Sequence, residues 1–274
     1  MRGLGDPRGR DADIVLLGPT PTTRSRPVDD HSLARLLATL AGDLLLEVRR
    51  ERTDLAGAEL GREGDRRAHA MLVSALREHR PDDAVRSEEG EAALDGHRSG
   101  RLWIVDPLDG TREYGDRERG DWAVHVALSE RGKLLAGAVA VPATGRTFAT
   151  DEAALAPAPP RPRPRVVVSR SHRPPLVDAL AEVVDVDLVP MGSAGVKAVA
   201  VLTGAADAYV HAGGQYEWDS AAPVAVSAAA GAHTSRIDGS ELVYGNPSPS
   251  IPDLLICRPE LRDTLLTALA AARS

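Results

Sequence analysis

Arg101-Leu-Trp-Ile-Val-Asp106-Pro-Leu-Asp109-Gly-Thr111 begins as a short apolar run rich in strand formers and breaks off into Asp-Pro-Leu-Asp-Gly-Thr. The pattern predicts a buried strand whose carboxyl end opens into a tight turn. Pro107 fixes φ and has no N–H, so the ladder is expected to stop there, and Gly110 permits the close turn. Asp106 and Asp109 are then held together on a stiff strand end, where two carboxylates repel unless a cation lies between them. Hard oxygen ligands with no cysteine nearby favour magnesium over zinc. Asp-Gly is also a common turn dipeptide, so a plain turn stands beside the metal reading on these residues alone.

The remaining chain narrows the choice. A length of 274 residues with 43% apolar and 27% charged residues suits a globular protein with a full core, in one large domain or two smaller ones. Aromatics make up only 3%, so Ala, Val and Leu must build that core. The net charge of −7 argues against a surface for nucleic-acid polymers, yet leaves room for a local pocket that takes one small anion. Cys257 is alone, in the strand-like run Asp253-Leu-Leu-Ile-Cys257, and reads as a buried structural thiol. The apolar run at 14–17 is too short for a signal-peptide core, and nothing approaches the ~18 apolar residues of a membrane span. A cytoplasmic enzyme or binding protein with a loose N-terminal tail over 1–30 is the expectation.

From His31 to Arg52, Leu33, Leu36, Leu37, Leu40, Leu44 and Val48 mark one face of a helix capped by Asp29 or Asp30. Thr53 to Gly64 carries glycines and reads as irregular, with Asp65 opening a second helix as its cap. Ala84 to Ser87 runs briefly extended into Glu88-Glu89-Gly90, where paired glutamates usually mean a solvated surface. Beyond the Asp106 turn, 114–121 reads as a polar loop. Trp122 to Leu128 and Leu134 to Val141 form a hairpin, implying an antiparallel sheet with helices on one face. The Pro/Arg-rich 156–164 is a surface linker. It separates an N-terminal α+β half, 31–155, from a C-terminal α/β half, 165–274, of alternating strands and helices. In that second half, Met191-Gly-Ser193-Ala-Gly195 starts a helix whose exposed amides would seat a phosphate. Asp219, in Glu217-Trp218-Asp219, is placed to cap the next helix.

Ser87-Glu88-Glu89, Trp103-Ile-Val-Asp106-Pro-Leu-Asp109-Gly-Thr111 and Trp218-Asp219-Ser-Ala-Ala, in this order, resemble the motifs of the lithium-sensitive, magnesium-dependent phosphatases of the inositol monophosphatase superfamily. The resemblance runs from about His31 to the C-terminus. Gly110-Thr-Arg-Glu-Tyr114, Val168-Ser169-Arg170-Ser171-His172, and Gly192-Ser193 followed by Lys197 are closer to its bacterial 3′-phosphoadenosine 5′-phosphate phosphatases, the CysQ type. The resemblance implies a layered αβαβα sandwich, α+β and α/β in its two halves, with the site between them. It implies two or three magnesium ions held by Glu88, Asp106, the Leu108 carbonyl, Asp109 and Asp219. Asp65 and Thr111, with Glu88, would be catalytic, the first two orienting and deprotonating the attacking water. Gly110 and Thr111 amides would hold phosphate oxygens, with Ser169, Arg170, His172, Ser193, Lys197 and Asp219 completing the substrate site. The partner would be a phosphorylated nucleotide or sugar, and the chain a homodimer.

Two departures from the inositol branch bear on specificity. The usual Lys and Thr ahead of Asp65 are absent from Leu60-Gly-Arg-Glu-Gly-Asp65. The segment His211-Ala-Gly-Gly-Gln-Tyr-Glu217 replaces the one carrying the glutamate that contacts inositol hydroxyls. Arg117 and Arg119 either meet a second phosphate or lie in an exposed loop. The first reading is removal of the 3′-phosphate from 3′-phosphoadenosine 5′-phosphate, with its sulfated form as a further substrate, in support of sulfur assimilation. The alternative within the class is a phosphatase of inositol 1-phosphate or fructose 1,6-bisphosphate. An inactive nucleotide-binding sensor, whose function would survive Asp106→Asn, is the reading from another class.

Overall fold

The computed structural model describes residues 28–90, 100–159, 161–172 and 174–273. The expected tail over 1–30 falls, but for its last residues, outside them. α1 (Asp30–Glu51) starts where Asp29 accepts the Ser32 amide at 2.9 Å, and Leu33, Leu37, Ala41, Leu45 and Val48 form its buried stripe. α2 (Gly57–His79) begins well before the predicted start. Asp65 is therefore no helix cap; it lies inside the helix, 4% exposed. The glycines read as a loop are packing surfaces instead. A Cβ on Gly61 would lie 2.6 Å from Thr111 Cγ2, and one on Gly64 would lie 2.8 Å from Tyr114 Cε1.

β1 (Ala84–Ser87), β2 (Arg101–Asp109), β3 (Ala123–Glu130), β4 (Lys133–Val141) and β5 (Arg146–Ala149) make the first sheet, in that order. β1 runs parallel to β2 and the other pairs are antiparallel. β2 does not stop at Pro107. Its pairing with β3 slips between Asp106 and Asp109 and resumes with Asp109 opposite Ala123. Residues three apart on a regular strand face opposite ways, so this bulge is what lets both aspartates reach one spot. α3 (Thr111–Gly115), a single turn read as loop in part, follows Gly110 at φ 91°.

The second sheet has the order β7-β6-β8-β10-β9. Its strands are β6 (Arg165–Ser169), β7 (Asp187–Met191), β8 (Ala208–Tyr216), β9 (His233–Ser235) and β10 (Ser250–Cys257), the last burying Cys257. α4 (Pro175–Val183), α5 (Ala194–Leu202), α6 (Glu217–Ala229) and α7 (Arg262–Ala272) complete the chain. α1 and α2 cover one face of the first sheet, α5 and α6 lie between the two sheets, and α4 and α7 cover the far side. Three apolar clusters fill the gaps between these layers, the central one spanning both sides of α5 and α6 and joining Ile104 and Val139 to Tyr209, Ala221 and Ala222. The expected αβαβα layering is thus present, but the first sheet has helices on both faces rather than one.

Arg161, in the Pro/Arg connector, bonds Asp207 at 2.9 Å, and no helix or strand forms among the connector's described residues. No helix among the described residues is long and apolar enough to cross a membrane.

Candidate active site

The β2 bulge supplies Asp106 and Asp109, and the first turn of α6 supplies Asp219. Their carboxylate oxygens lie within 4.8 Å of one another. Asp219 also accepts the Tyr216 amide at 2.6 Å, so its capping role and its place in the acidic trio coexist. Asp106 takes the Leu108 amide on one oxygen at 3.0 Å, while its other oxygen is buried with no hydrogen-bond partner. Burial, then the charges of Glu88, Asp109 and Asp219, push the Asp106 carboxyl well above the usual range. Burial and Asp109 raise Asp219 to about 6.

Glu88 sits in the turn after β1, exposed and outside the trio. Lost hydration inside the acidic cleft, then Asp219 and Asp109, still raise it to about 7. Asp65, facing this turn from α2, is raised to about 8 by burial and by Glu89 and Glu88. The expected Thr111–Asp65 pair is not formed. Thr111 Oγ1 donates instead to the Leu108 carbonyl at 3.1 Å, and one oxygen of Asp65 is left without a partner. A threonine hydroxyl has one hydrogen to give, and the turn at Gly110 brings the Leu108 oxygen nearest.

Asp109 is held differently. Its Oδ2 accepts from Ser193 Oγ at 2.5 Å and from the Gly195 amide at 2.8 Å, with His125 Nε2 at 3.2 Å. Burial works against its charge, but His125, Lys197 and Ser193 more than offset this and keep it at about 2. The start of α5, expected to seat a phosphate, is thus taken by a carboxylate of the protein itself. Both are anions drawn to free amides and the positive helix end, and the tethered one occupies the place. Ser193 adopts φ 26° to do this, a rare conformation that costs on the order of 1–3 kcal/mol.

His125 was not singled out from the sequence. It is fully buried on β3 directly across from Asp106, and the only sequence signal is a histidine inside an apolar strand. Its Nδ1 lies 3.0 Å from the Trp218 carbonyl, which can only accept, so Nδ1 carries a proton. One imidazole therefore touches both the Asp109 turn and the start of α6. Glu217, 0% exposed, anchors that same start by bonding Arg86 of β1 at 2.5 Å and the Asn246 amide at 2.9 Å.

Asp109, Gly110, Thr111 and Asp219 form one end of a cleft of about 310 Å³. Ser169, His172, Ser193 and Lys197 line it as expected, together with the unpredicted Arg112, Tyr209, His211 and Gln215. Lys197 is buried, its Nζ donating to the Gly192 and Ser193 carbonyls at 2.6 and 2.9 Å, and burial lowers it to about 8. His211 is lowered to about 4, chiefly by burial, with Nε2 placed 2.7 Å from the Gly213 carbonyl. Arg170 is not among the described lining residues; it bonds Glu113 at 3.0 Å and Asp121 at 2.9 Å. Arg117 donates to the Arg49, Arg52 and Leu55 carbonyls, and Arg119 to Asp121 at 2.7 Å, so neither is left for a second phosphate.

An oxygen-only trio with an orphaned buried oxygen, in which the charge of Asp109 raises both Asp106 and Asp219, fits a hard divalent cation. The comparisons agree with the motifs. The sequence model of the inositol monophosphatase family matches residues 31–273. The 3′-phosphoadenosine 5′-phosphate phosphatase of Mycobacterium bovis is 46% identical over 240 residues, 85% of this chain and 90% of its own length. The 3′(2′),5′-bisphosphate nucleotidase CysQ of Salmonella typhimurium is 34% identical over 192 residues, 65% of this chain and 76% of its own. The solved structure of Mycobacterium tuberculosis SuhB superposes with a TM-score of 0.67 at 27% identity, covering 88% of this chain and 96% of that one. By motif, fold and sequence, the chain belongs to the inositol monophosphatase family.

Proposed function

We propose that this chain hydrolyses the 3′-phosphate of 3′-phosphoadenosine 5′-phosphate, and of its sulfated form, with magnesium. The observation that carries the reading is a cleft lined at one end by Asp109 and Asp219 of the acidic trio and beyond them by Ser169, His172 and Lys197, the residues of the nucleotide-type motifs. The name borne by the Mycobacterium bovis relative points to the same substrate. Asp106, Asp109 and Asp219 would hold the metal, two or three ions being completed by Glu88 and the Leu108 carbonyl. Bound there, magnesium neutralises phosphate charge and makes water a better nucleophile.

The protein's own groups do the rest. Asp109 is locked in its ionised state by the start of α5 and His125. In this proposal Thr111 releases Leu108 and, with Asp65, orients the attacking water and takes its proton. Burial and the neighbouring Glu89 and Glu88 raise this carboxyl, which strengthens its hold on a proton once it is ionised and free to take one. The water oxygen bonds to phosphorus as the P–O3′ bond breaks, and the 3′ oxygen leaves to take up a proton from solvent. Such an activity would clear a nucleotide by-product of sulfur assimilation, in a chain that works as a homodimer.

The test is kcat/KM with magnesium, with and without lithium, on 3′-phosphoadenosine 5′-phosphate, inositol 1-phosphate and fructose 1,6-bisphosphate. A clear preference for the nucleotide supports the reading. Comparable rates on the sugars would keep the chemistry and reject the substrate.

A further inference from the structure

The proposed substrate carries two phosphates, and the acidic trio accounts for only one. The arginines expected from the sequence to meet substrate are engaged elsewhere: Arg117 with backbone carbonyls, Arg119 with Asp121, and Arg170 with Glu113 and Asp121. Lys197 is buried and gives two of its hydrogens to carbonyls. Arg112 differs from all of these. It follows Thr111 on α3, lines the cleft, is exposed, and its side chain has no hydrogen bond or ion pair among the described residues. Its position is nonetheless fixed, since its carbonyl accepts the Asp116 amide at 3.2 Å to close the turn.

Electrostatics makes this unspent charge useful. One end of the cleft is anionic through Asp109 and Asp219, and Arg170 already balances Glu113 beside Arg112. A second phosphate entering this cleft needs a cation not consumed by the protein, and a guanidinium offers a planar fork that bonds two phosphate oxygens at once. Arg112 is one residue beyond Thr111, so it stands next to the acidic trio rather than within it.

We infer that Arg112 binds the phosphate that is not hydrolysed, and so makes this site prefer nucleoside bisphosphates to nucleoside monophosphates. The inference rests on the nucleotide reading proposed above. It is tested by kcat/KM of wild type, Arg112→Gln and Arg112→Lys on 3′-phosphoadenosine 5′-phosphate and on adenosine 3′-phosphate, which lacks the second anion.

Wild type should prefer the bisphosphate by about 10–100-fold, the range for hydrogen bonds to a charged group. Arg112→Gln should bring the ratio close to one. Arg112→Lys, with the charge but not the fork, should fall between. Added salt should erode the wild-type ratio and not that of the glutamine variant. Exposure of Arg112 means that all three proteins should melt together. An unchanged ratio in Arg112→Gln, or equal losses on both substrates, overturns the assignment, the second result placing Arg112 on the reacting phosphate. Wild type turning over neither nucleotide would overturn the nucleotide reading itself and this inference with it.

Discussion

Gly195→Ala probes the tightest contact in the site. A Cβ there would lie 2.2 Å from His125 Nε2, 3.0 Å from its Cδ2 and 2.9 Å from Val139 Cγ1. Both neighbours are at most 1% exposed, so neither can swing into solvent. Overpacking of this kind costs about 1–3 kcal/mol. If α5 backs away instead, the Gly195 amide loses Asp109, a charged acceptor worth about 1.5–3 kcal/mol. The better helix propensity of alanine returns at most ~1 kcal/mol. A net loss of about 1–3 kcal/mol lowers the melting temperature of a chain this size by roughly 2–12 °C. Because Asp109 and His125 move with it, the magnesium concentration giving half-maximal thermal stabilisation should rise about 10–100-fold, as for other losses behind a metal ligand. Calorimetric melts across a magnesium titration measure both. A variant melting within about 2 °C of wild type at the same metal midpoint would refute the reasoning, because no such contact could then exist.

The other predictions concern the acidic groups. Asp65, Glu88 and Asp219 have folded-state values raised to about 8, 7 and 6, above those of an unfolded chain. The folded state then holds more protons than the unfolded state, so the unfolding free energy of metal-free protein should fall as pH rises from about 4 to about 8. Saturating magnesium should flatten that slope, which denaturant titrations at several pH values would show. Asp106→Asn should cost turnover at least about 100-fold, more than the loss of an outer partner, yet raise the melting temperature of metal-free protein at neutral pH. It replaces a buried carboxylate whose pKa is pushed well up with a neutral amide. Phosphate release and melting curves on the purified variant check the two halves separately.

What could be read from the sequence was whatever depends on local pattern. The helix α1, the β3–β4 hairpin and the strand–helix alternation after Arg165 follow from periodicity, and the structure has them, although the α1 stripe runs through Leu33, Leu37, Ala41, Leu45 and Val48 and leaves the expected Leu36 and Leu40 exposed. Glycine misled where its use was packing rather than turning. Gly61 and Gly64 let α2 approach α3, so the helix continues through a stretch that reads as irregular and carries Asp65 in its middle. The same limit applies to the site. Asp106, Asp109 and Asp219 announce themselves by motif, whereas His125 reaches Asp109 only through the β2–β3 register. Likewise, the engagement of Arg117, Arg119 and Arg170 depends on partners supplied by the fold, and only that engagement leaves Arg112 conspicuous.

The most direct test of the central claim is product identification after magnesium-dependent reaction with 3′-phosphoadenosine 5′-phosphate in isotopically labelled water. The account predicts adenosine 5′-phosphate and inorganic phosphate in equal amounts, with the label entering the phosphate only. Adenosine 3′-phosphate as product, label in the nucleotide, or no reaction would contradict it.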